Sequence, residues 1–335
     1  MNIIVPMAGR GSRLRPHTLT TPKPLVKVGG KPIVQRLVED IAKISTEKID
    51  EIAFIIGDFG KQVETDLLDI ASSLGATGKI YHQTEPLGTA HAVHCAKESL
   101  HGPVIIAFAD TLFRANFTID PNVDGILWVK QIEDPSAFGV VKMNDQGHIV
   151  EFVEKPKEFV SDLAMIGVYY FKYGEKLKEE IDYLIEHDII KGGEYQLPDA
   201  LRNLTQKNYV FVPGEVSAWM DCGNKAVTVE TNQRILDFDH EDGINNVEEH
   251  QNENSVIIQP CFIGKNVKIV NSVVGPNVSI GEHSVVTDSR IANSIIGEET
   301  IVKGVYLKNS MIGNKAEVNG KSQDLSIGDY SKIEL

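Results

Sequence analysis

The segment AGRGSRLRPHTLTTPKPLVKVGGKP, Ala8 to Pro32, follows the chain's first apolar run and sets Gly9 and Gly11 ahead of Arg13, Arg15 and Lys23. Glycine has no Cβ and tolerates positive φ, so a glycine turn after a strand exposes backbone N–H groups to an anion that can approach closely. Cations behind the turn add fixed charge, and the guanidinium fork matches phosphate oxygens. The chemistry these residues could do is phosphate binding; a tight turn with solvated arginines is the plain alternative. Two familiar phosphate loops do not fit. A dinucleotide fingerprint needs a third glycine where GRGSRL has Leu14. A P-loop needs a Ser or Thr after its lysine, whereas PLVKVGGKP puts Pro32 after Lys31.

The elements that must position this loop follow a regular alternation. The apolar runs IIVPM, IAFII, KIYHQ and PVIIAFAD are separated by the helical patterns IVQRLVEDIAKI, KQVETDLLDIASSL and TAHAVHCAKESL. Unbroken β-rich runs between amphipathic helices indicate strands buried on both faces, hence an α/β fold with a doubly wound, mostly parallel, Rossmann-like sheet. Ligands of such sheets bind beyond the carboxyl ends of the strands. That edge would hold both the glycine loop and Asp110, which follows VIIAFA. From Gly125 to Phe171 strands flank a turn at Asp145-Gln146-Gly147, as expected of a more antiparallel lobe grafted onto the sheet. Helical patterns at about 174–187, 196–206 and 224–237 complete a first domain, placed at 1–236. The polar, acidic stretch 237–254 reads as a linker.

From 255 to 335 the sequence repeats itself. IGKNVKI starts at Ile263, IGEHSVV at Ile280, IGEETIV at Ile296, IGNKAEV at Ile312 and IGDYSKI at Ile327, with VGPNVSI at Val274, and an aliphatic residue falls six positions after each start. A short fixed period with one inward aliphatic per hexapeptide predicts a parallel β-helix. The repeat resembles the hexapeptide repeats of left-handed β-helices, and the handedness is implied by that resemblance.

The whole segment from Ala8 to Pro32 resembles the signature of the sugar-1-phosphate nucleotidyltransferases, enzymes that make nucleotide sugars. Further stretches match in order: QTEPLGTAHAV at Gln83, ADTLF around Asp110, FGVV at Phe138, FVEKP at Phe152, IGVYYF at Ile166, EYQLPDAL at Glu194 and WMDCGN around Asp221. With the repeat tail, the resemblance covers nearly the full chain. DCGN is similar to the uridylyltransferase branch, while PLGTAHAV and the β-helix are similar to long thymidylyltransferases, so UTP and dTTP both stay open as the nucleotide.

In the reaction the resemblance implies, a sugar-1-phosphate oxygen attacks the α-phosphorus of a nucleoside triphosphate and pyrophosphate leaves. The barrier is repulsion and alignment between polyanions, so cations and positioning carry catalysis. The attacking phosphate is already ionised and no general base is needed. By resemblance, Asp110 and Asp221 hold Mg²⁺, which prefers carboxylate and phosphate oxygens. Arg13 and Lys23 hold the triphosphate, with Ala8, Gly9 and Gly11 at the nucleotide. Gln83 and the backbone near Gly88 read the base, Lys155 binds the sugar phosphate, and Gly139, Glu154, Gly167 and Glu194 line the sugar pocket. Glucose-1-phosphate is the favoured acceptor; N-acetylglucosamine-1-phosphate and mannose-1-phosphate are alternatives. His91 and His94 have a spacing that could bind metal, but with no third ligand they read as packed or solvated.

Bulk properties bound these expectations. At 335 residues the chain exceeds a single core, so two domains are the default. A net charge of −14 repels nucleic acid and anionic membranes, leaving anionic ligands to a local basic site. Three scattered cysteines without CxxC fit a reducing cytoplasm, and no apolar run approaches a membrane span. A homo-oligomer, joined through the β-helix or the catalytic domain, is expected. Two rival readings remain: a silent, pyrophosphorylase-like regulatory subunit, and a second acyl-transfer activity on the β-helix using His283.

Overall fold

A computed structural model describes residues 1–9, 11–115, 119–120 and 122–320. These form two compact units, one of Met1–Val26 with Lys31–Asn224 and one of Lys27–Gly30 with the chain from Lys225 onward.

The first unit begins β1 (Asn2–Pro6), α1 (Ile33–Ile44), β2 (Glu51–Ile56), α2 (Lys61–Ser73), β3 (Thr77–His82), α3 (Thr89–Cys95) and β4 (Val104–Ala107). Every residue of β1, β2 and β4 is buried, as strands covered on both faces must be. In α1 the buried residues Ile33, Val34, Leu37, Val38, Ile41 and Ile44 recur at helical spacing, which gives the helix one apolar stripe against the sheet. The unit continues with β5 (Thr111–Arg114), β6 (Gly125–Gln131), β7 (Gly139–Met143), β8 (Ile149–Glu154), β9 (Leu163–Phe171), α4 (Gly174–Glu186), α5 (Leu197–Gln206), β10 (Phe211–Glu215) and β11 (Ala218–Asp221).

Nine of these strands make one Rossmann-like sheet in the order β3-β2-β1-β4-β9-β6-β10-β8-β7. The half from β3 to β4 is parallel. The antiparallel strands expected between Gly125 and Phe171 continue this same sheet, because β9 pairs antiparallel with both β4 and β6. Its register on β6 shifts between Met165 and Tyr169, where Gly167 takes φ +83. Phe211 ties the far half together, meeting Phe152 and Phe171 edge-on at 6.1 and 6.0 Å. Strands β5 and β11 form a separate antiparallel pair.

The second unit is a stack of coils whose strands fall into three parallel sheets of five, four and four strands. This is the architecture expected of the left-handed β-helix. Ile263, Ile280, Ile296 and Ile312 lie in one ladder, and Ile269, Val286, Val302 and Val318 in another. Stacking identical aliphatics one above another buries a continuous core that no single coil could make. Asn254, Asn271 and Asp288 stack in a corner column, each with φ near +48, and are hydrogen-bonded at 2.9 and 3.1 Å. The repeat at Ile327 lies outside the described residues.

The domain boundaries differ from those expected. Helix α6 (Lys225–Glu241) groups with the coils, where its buried Asn232 accepts from Gly29 N–H at 2.9 Å and Ser279 Oγ at 2.6 Å. The stretch 237–254 is therefore not a plain linker: it holds the end of α6, and Gln251–Glu253 is already the first strand of the stack. Among the described residues no helix is long and apolar enough to cross a membrane.

Candidate functional site

A cavity of about 390 Å³ opens beyond the carboxyl ends of β1, β3 and β4 in the first unit. The glycine loop forms one wall. Gly11 is left-handed at φ +59 and opens a 3-10 turn, Ser12–Leu14, that buries Leu14. Thr18 Oγ1 donates to Gly11 O at 2.8 Å and fixes the turn. A Cβ on Gly11 would stand 2.8 Å from Lys23 Cβ, so a glycine is what lets the loop close over the lysine. A second 3-10 turn, Lys23–Leu25, carries Lys23 into the interior between Pro22 and Pro24. Ala8, Gly9, Gly11, Arg13 and Lys23 all line the cavity.

The two candidate metal ligands converge for a reason of strand pairing. Asp110 precedes β5, and Thr111 of β5 pairs with Asp221 of β11. Cys222 N–H closes the pair by donating to Asp110 O at 3.2 Å. Asp221 thus lies close enough to Asp110, Lys23 and Arg13 to feel the charge of each, although it does not itself line the cavity. Lys23 Nζ donates to Asp110 Oδ2 at 3.2 Å. Burial pushes Asp221 above the usual carboxylate range and Asp110 adds to the rise, while Lys23, Arg13 and the Gly223 N–H pull the other way. Gly223 lies so close that its Cβ would meet Asp221 Oδ2 at 2.8 Å and Arg13 Nη2 at 3.4 Å. Among the described residues no group of three or more His, Cys, Asp or Glu could hold a metal unaided. Two half-shielded carboxylates, of which Asp110 lines the cavity, do suit Mg²⁺, which takes few protein ligands and completes its octahedron with phosphate oxygens and water.

Gln83 follows the end of β3 and lines the opposite wall with Gly88, Thr89 and Glu194. Its Nε2 donates to Gly88 O at 3.3 Å and lies 3.2 Å from His91 Nδ1. Gly88 has φ +111, and a Cβ there would stand 2.5 Å from Tyr195 O and 2.8 Å from Glu194 Cβ. Ala90 N–H donates to Tyr195 O and Tyr195 N–H to Leu87 O, which binds the start of α3 to the Glu194 segment.

The expected sugar residues form a second group. Lys155 has φ +42, donates its N–H to Phe138 O at 3.1 Å, and holds Nζ 3.7 Å from Glu154 Oε1. Gly139 faces Glu154 Oε2, 2.8 Å from where its Cβ would be. Gly167 O accepts from Phe108 N–H at 2.9 Å, and Phe108 lines the cavity. Gly139, Glu154, Lys155 and Gly167 do not line the cavity itself, whereas Glu194 does. The Tyr169 hydroxyl is raised well above the usual tyrosine range, first by burial and then by the charges of Glu154 and Asp110.

His91 faces Gln83, and His94 Nε2 meets Asp182 Oδ1 at 3.0 Å. Sequence spacing marked the two histidines but not the Gln83 contact, which only the fold creates.

Residues 2–237 match the nucleotidyl transferase family. The chain belongs to that family. Among its relatives, the low-salt glycan biosynthesis nucleotidyltransferase Agl11 of Haloferax volcanii is 30% identical over 237 residues, covering 68% of this chain and 64% of that protein. The glucose-1-phosphate thymidylyltransferase of Streptomyces antibioticus is 30% identical over 329 residues, covering 88% of this chain and 86% of its own length. The crystal structure of a nucleoside-diphosphate-sugar pyrophosphorylase from Vibrio cholerae superposes with a TM-score of 0.59 at 22% identity, over 69% of this chain and 99% of that one, and so shares the nucleotidyl transferase fold. This chain spans somewhat under two thirds of the Agl11 length but most of the Streptomyces enzyme.

Proposed function

We propose that this nucleotidyl transferase moves a nucleotidyl group from a pyrimidine nucleoside triphosphate, UTP or dTTP, to a sugar-1-phosphate, with glucose-1-phosphate the preferred acceptor. The observation that carries the reading is one cavity lined by a glycine loop with Arg13 and Lys23, by Asp110, and by the base-reading candidates Gln83 and Gly88.

In this reading the backbone of Ala8, Gly9 and Gly11 and the side chains of Arg13 and Lys23 bind the triphosphate and offset charge building on the departing pyrophosphate. Lys155 holds the sugar phosphate, and Glu154 and Glu194 accept from sugar hydroxyls. A phosphate oxygen of the sugar-1-phosphate forms a bond to the α-phosphorus. The bond from that phosphorus to the β-bridging oxygen breaks, and the electron pair leaves on pyrophosphate. Asp110 and Asp221 would hold Mg²⁺, which when bound screens phosphate charge. Alignment replaces proton transfer throughout, and no side chain has to act as a base.

The deciding experiment is pyrophosphate release across UTP, dTTP, CTP, GTP and ATP against glucose-1-phosphate, N-acetylglucosamine-1-phosphate, galactose-1-phosphate and mannose-1-phosphate, with and without Mg²⁺. Mg²⁺-dependent turnover with one pyrimidine nucleotide and glucose-1-phosphate supports the reading. No turnover in any combination overturns it in favour of a binding subunit. The same reading expects a soluble cytoplasmic homo-oligomer, which light scattering after gel filtration checks.

A further inference from the structure

Gln83 can face a nucleotide with either its oxygen or its amide nitrogen, and the two choices select opposite base edges. The neighbours of the amide decide which. Gly88 O is only an acceptor, and it already accepts the first helical bond of α3 from Ala92 N–H at 3.0 Å. The Gln83 group 3.3 Å from it must therefore be the NH₂. The same nitrogen lies 3.2 Å from His91 Nδ1, so Nδ1 must accept and the proton sits on Nε2. Gly88 caps α3 three residues before His91, which puts its carbonyl and the imidazole one turn apart.

We propose that His91 is a positioning residue that locks the Gln83 amide, committing both its hydrogens to α3 and leaving Oε1 as the acceptor offered to the base. The inference rests on the reading of Gln83 as the base contact. An acceptor at that point suits the imide N–H of uracil or thymine. The bare N3 of cytosine would set one lone pair against another. Gly88 N–H, which among the described residues donates to no partner, supplies the complementary donor for a ring carbonyl. Partial burial, with His94 one turn on, holds His91 below the usual histidine range against the opposing pull of Glu85, which keeps the ring neutral and Nδ1 free to accept.

The test joins a spectrum of the free full-length enzyme to kinetics of two variants. Nitrogen-15 resonances of histidine should show His91 with an unprotonated Nδ1 and a protonated Nε2. His91→Leu should raise KM for UTP and dTTP about tenfold, the worth of one hydrogen bond, with kcat little changed. It should also narrow the preference over CTP by a similar factor. His91→Asn, which can keep an oxygen where Nδ1 stands, should recover most of that preference. A proton on Nδ1 overturns the lock. So does a His91→Leu enzyme whose UTP-to-CTP ratio matches wild type, or one whose kcat falls equally for every nucleotide with no recovery in His91→Asn, since that marks packing alone. Wild-type turnover confined to purine triphosphates would instead overturn the base reading, and the tautomer signal would still decide the lock by itself.

Discussion

Lys23 Nζ stands 3.2 Å from Asp110 Oδ2, with the lysine side chain 10% exposed and the carboxylate 50% exposed. A half-exposed carboxylate keeps much of its water, so the pair adds little to folding, on the order of 0–1 kcal/mol. Lys23→Met preserves the buried stem and removes the charge. Its unfolding midpoint in urea should stay near wild type, while kcat for pyrophosphate release should drop by about a hundredfold or more, as loss of one preorganised charge does elsewhere. A stability loss as large as the activity loss would make Lys23 a scaffold residue instead.

Asp110→Asn and Asp221→Asn separate metal holding from folding. Wild-type protein should gain thermal stability when Mg²⁺ and a non-hydrolysable triphosphate are added together, by about 2.7 kcal/mol at a hundred times the dissociation constant. Either substitution should abolish most of that gain and nearly all turnover. Asp221→Asn also removes a desolvated charge pressed by Asp110, so without metal it should be at least as stable as wild type. A melt with and without the ion and nucleotide reads both effects.

Gly88→Ala probes the seam between the start of α3 and the Glu194 segment. With φ +111 and Tyr195 O only 2.5 Å from the new Cβ, the backbone cannot keep its position. The expected cost is about 2–3 kcal/mol in chemical denaturation. Nucleotide affinity should fall as well, because the displaced Gly88 carbonyl no longer holds Gln83.

Thiol reactivity should rank by burial. Cys261 donates to Ile258 O at 3.1 Å, and burial pushes its thiol up to about 11, opposed only by a hydrogen bond from the Val278 backbone. Cys222 is fully buried. At pH 8 iodoacetamide should modify half-buried Cys95 slowly and leave the other two untouched until the protein is unfolded, as peptide mass mapping would show. Early labelling of Cys261 would mean that the coil stack opens.

Much of this arrangement could be read from residues alone, and the parts that could not share a cause. Periodicity revealed the coils because Ile263, Ile280 and Ile296 are the residues that stack. It revealed the ligand edge because the glycine loop and Asp110 each come shortly after a buried strand. It could not show why Asp221 meets Asp110, since that depends on a pairing between strands distant in sequence. The helix α6 hid its allegiance because its buried face includes Thr228, Thr231 and Asn232, which carry no apolar stripe. Strand Gln251–Glu253 hid because all its side chains are exposed and only its backbone is paired. His91 escaped because its partner is an amide across a loop, a relation no spacing encodes.

The grouping of Lys27–Gly30 with the coil unit bears on how the protein can be dissected. Those four residues follow the glycine loop and Lys23 almost immediately, yet Val28 is fully buried and a Cβ on Gly30 would overlap the Phe262 ring at 2.1 Å. The chain therefore passes from the first unit to the second and back before α1 begins. No single proteolytic nick or stop codon can part the two units cleanly: a fragment ending near residue 236 would carry an orphaned β-turn whose natural cover had been thrown away. Expression of either half should give a sticky, protease-sensitive product, and the intact polypeptide is the smallest piece that closes on itself.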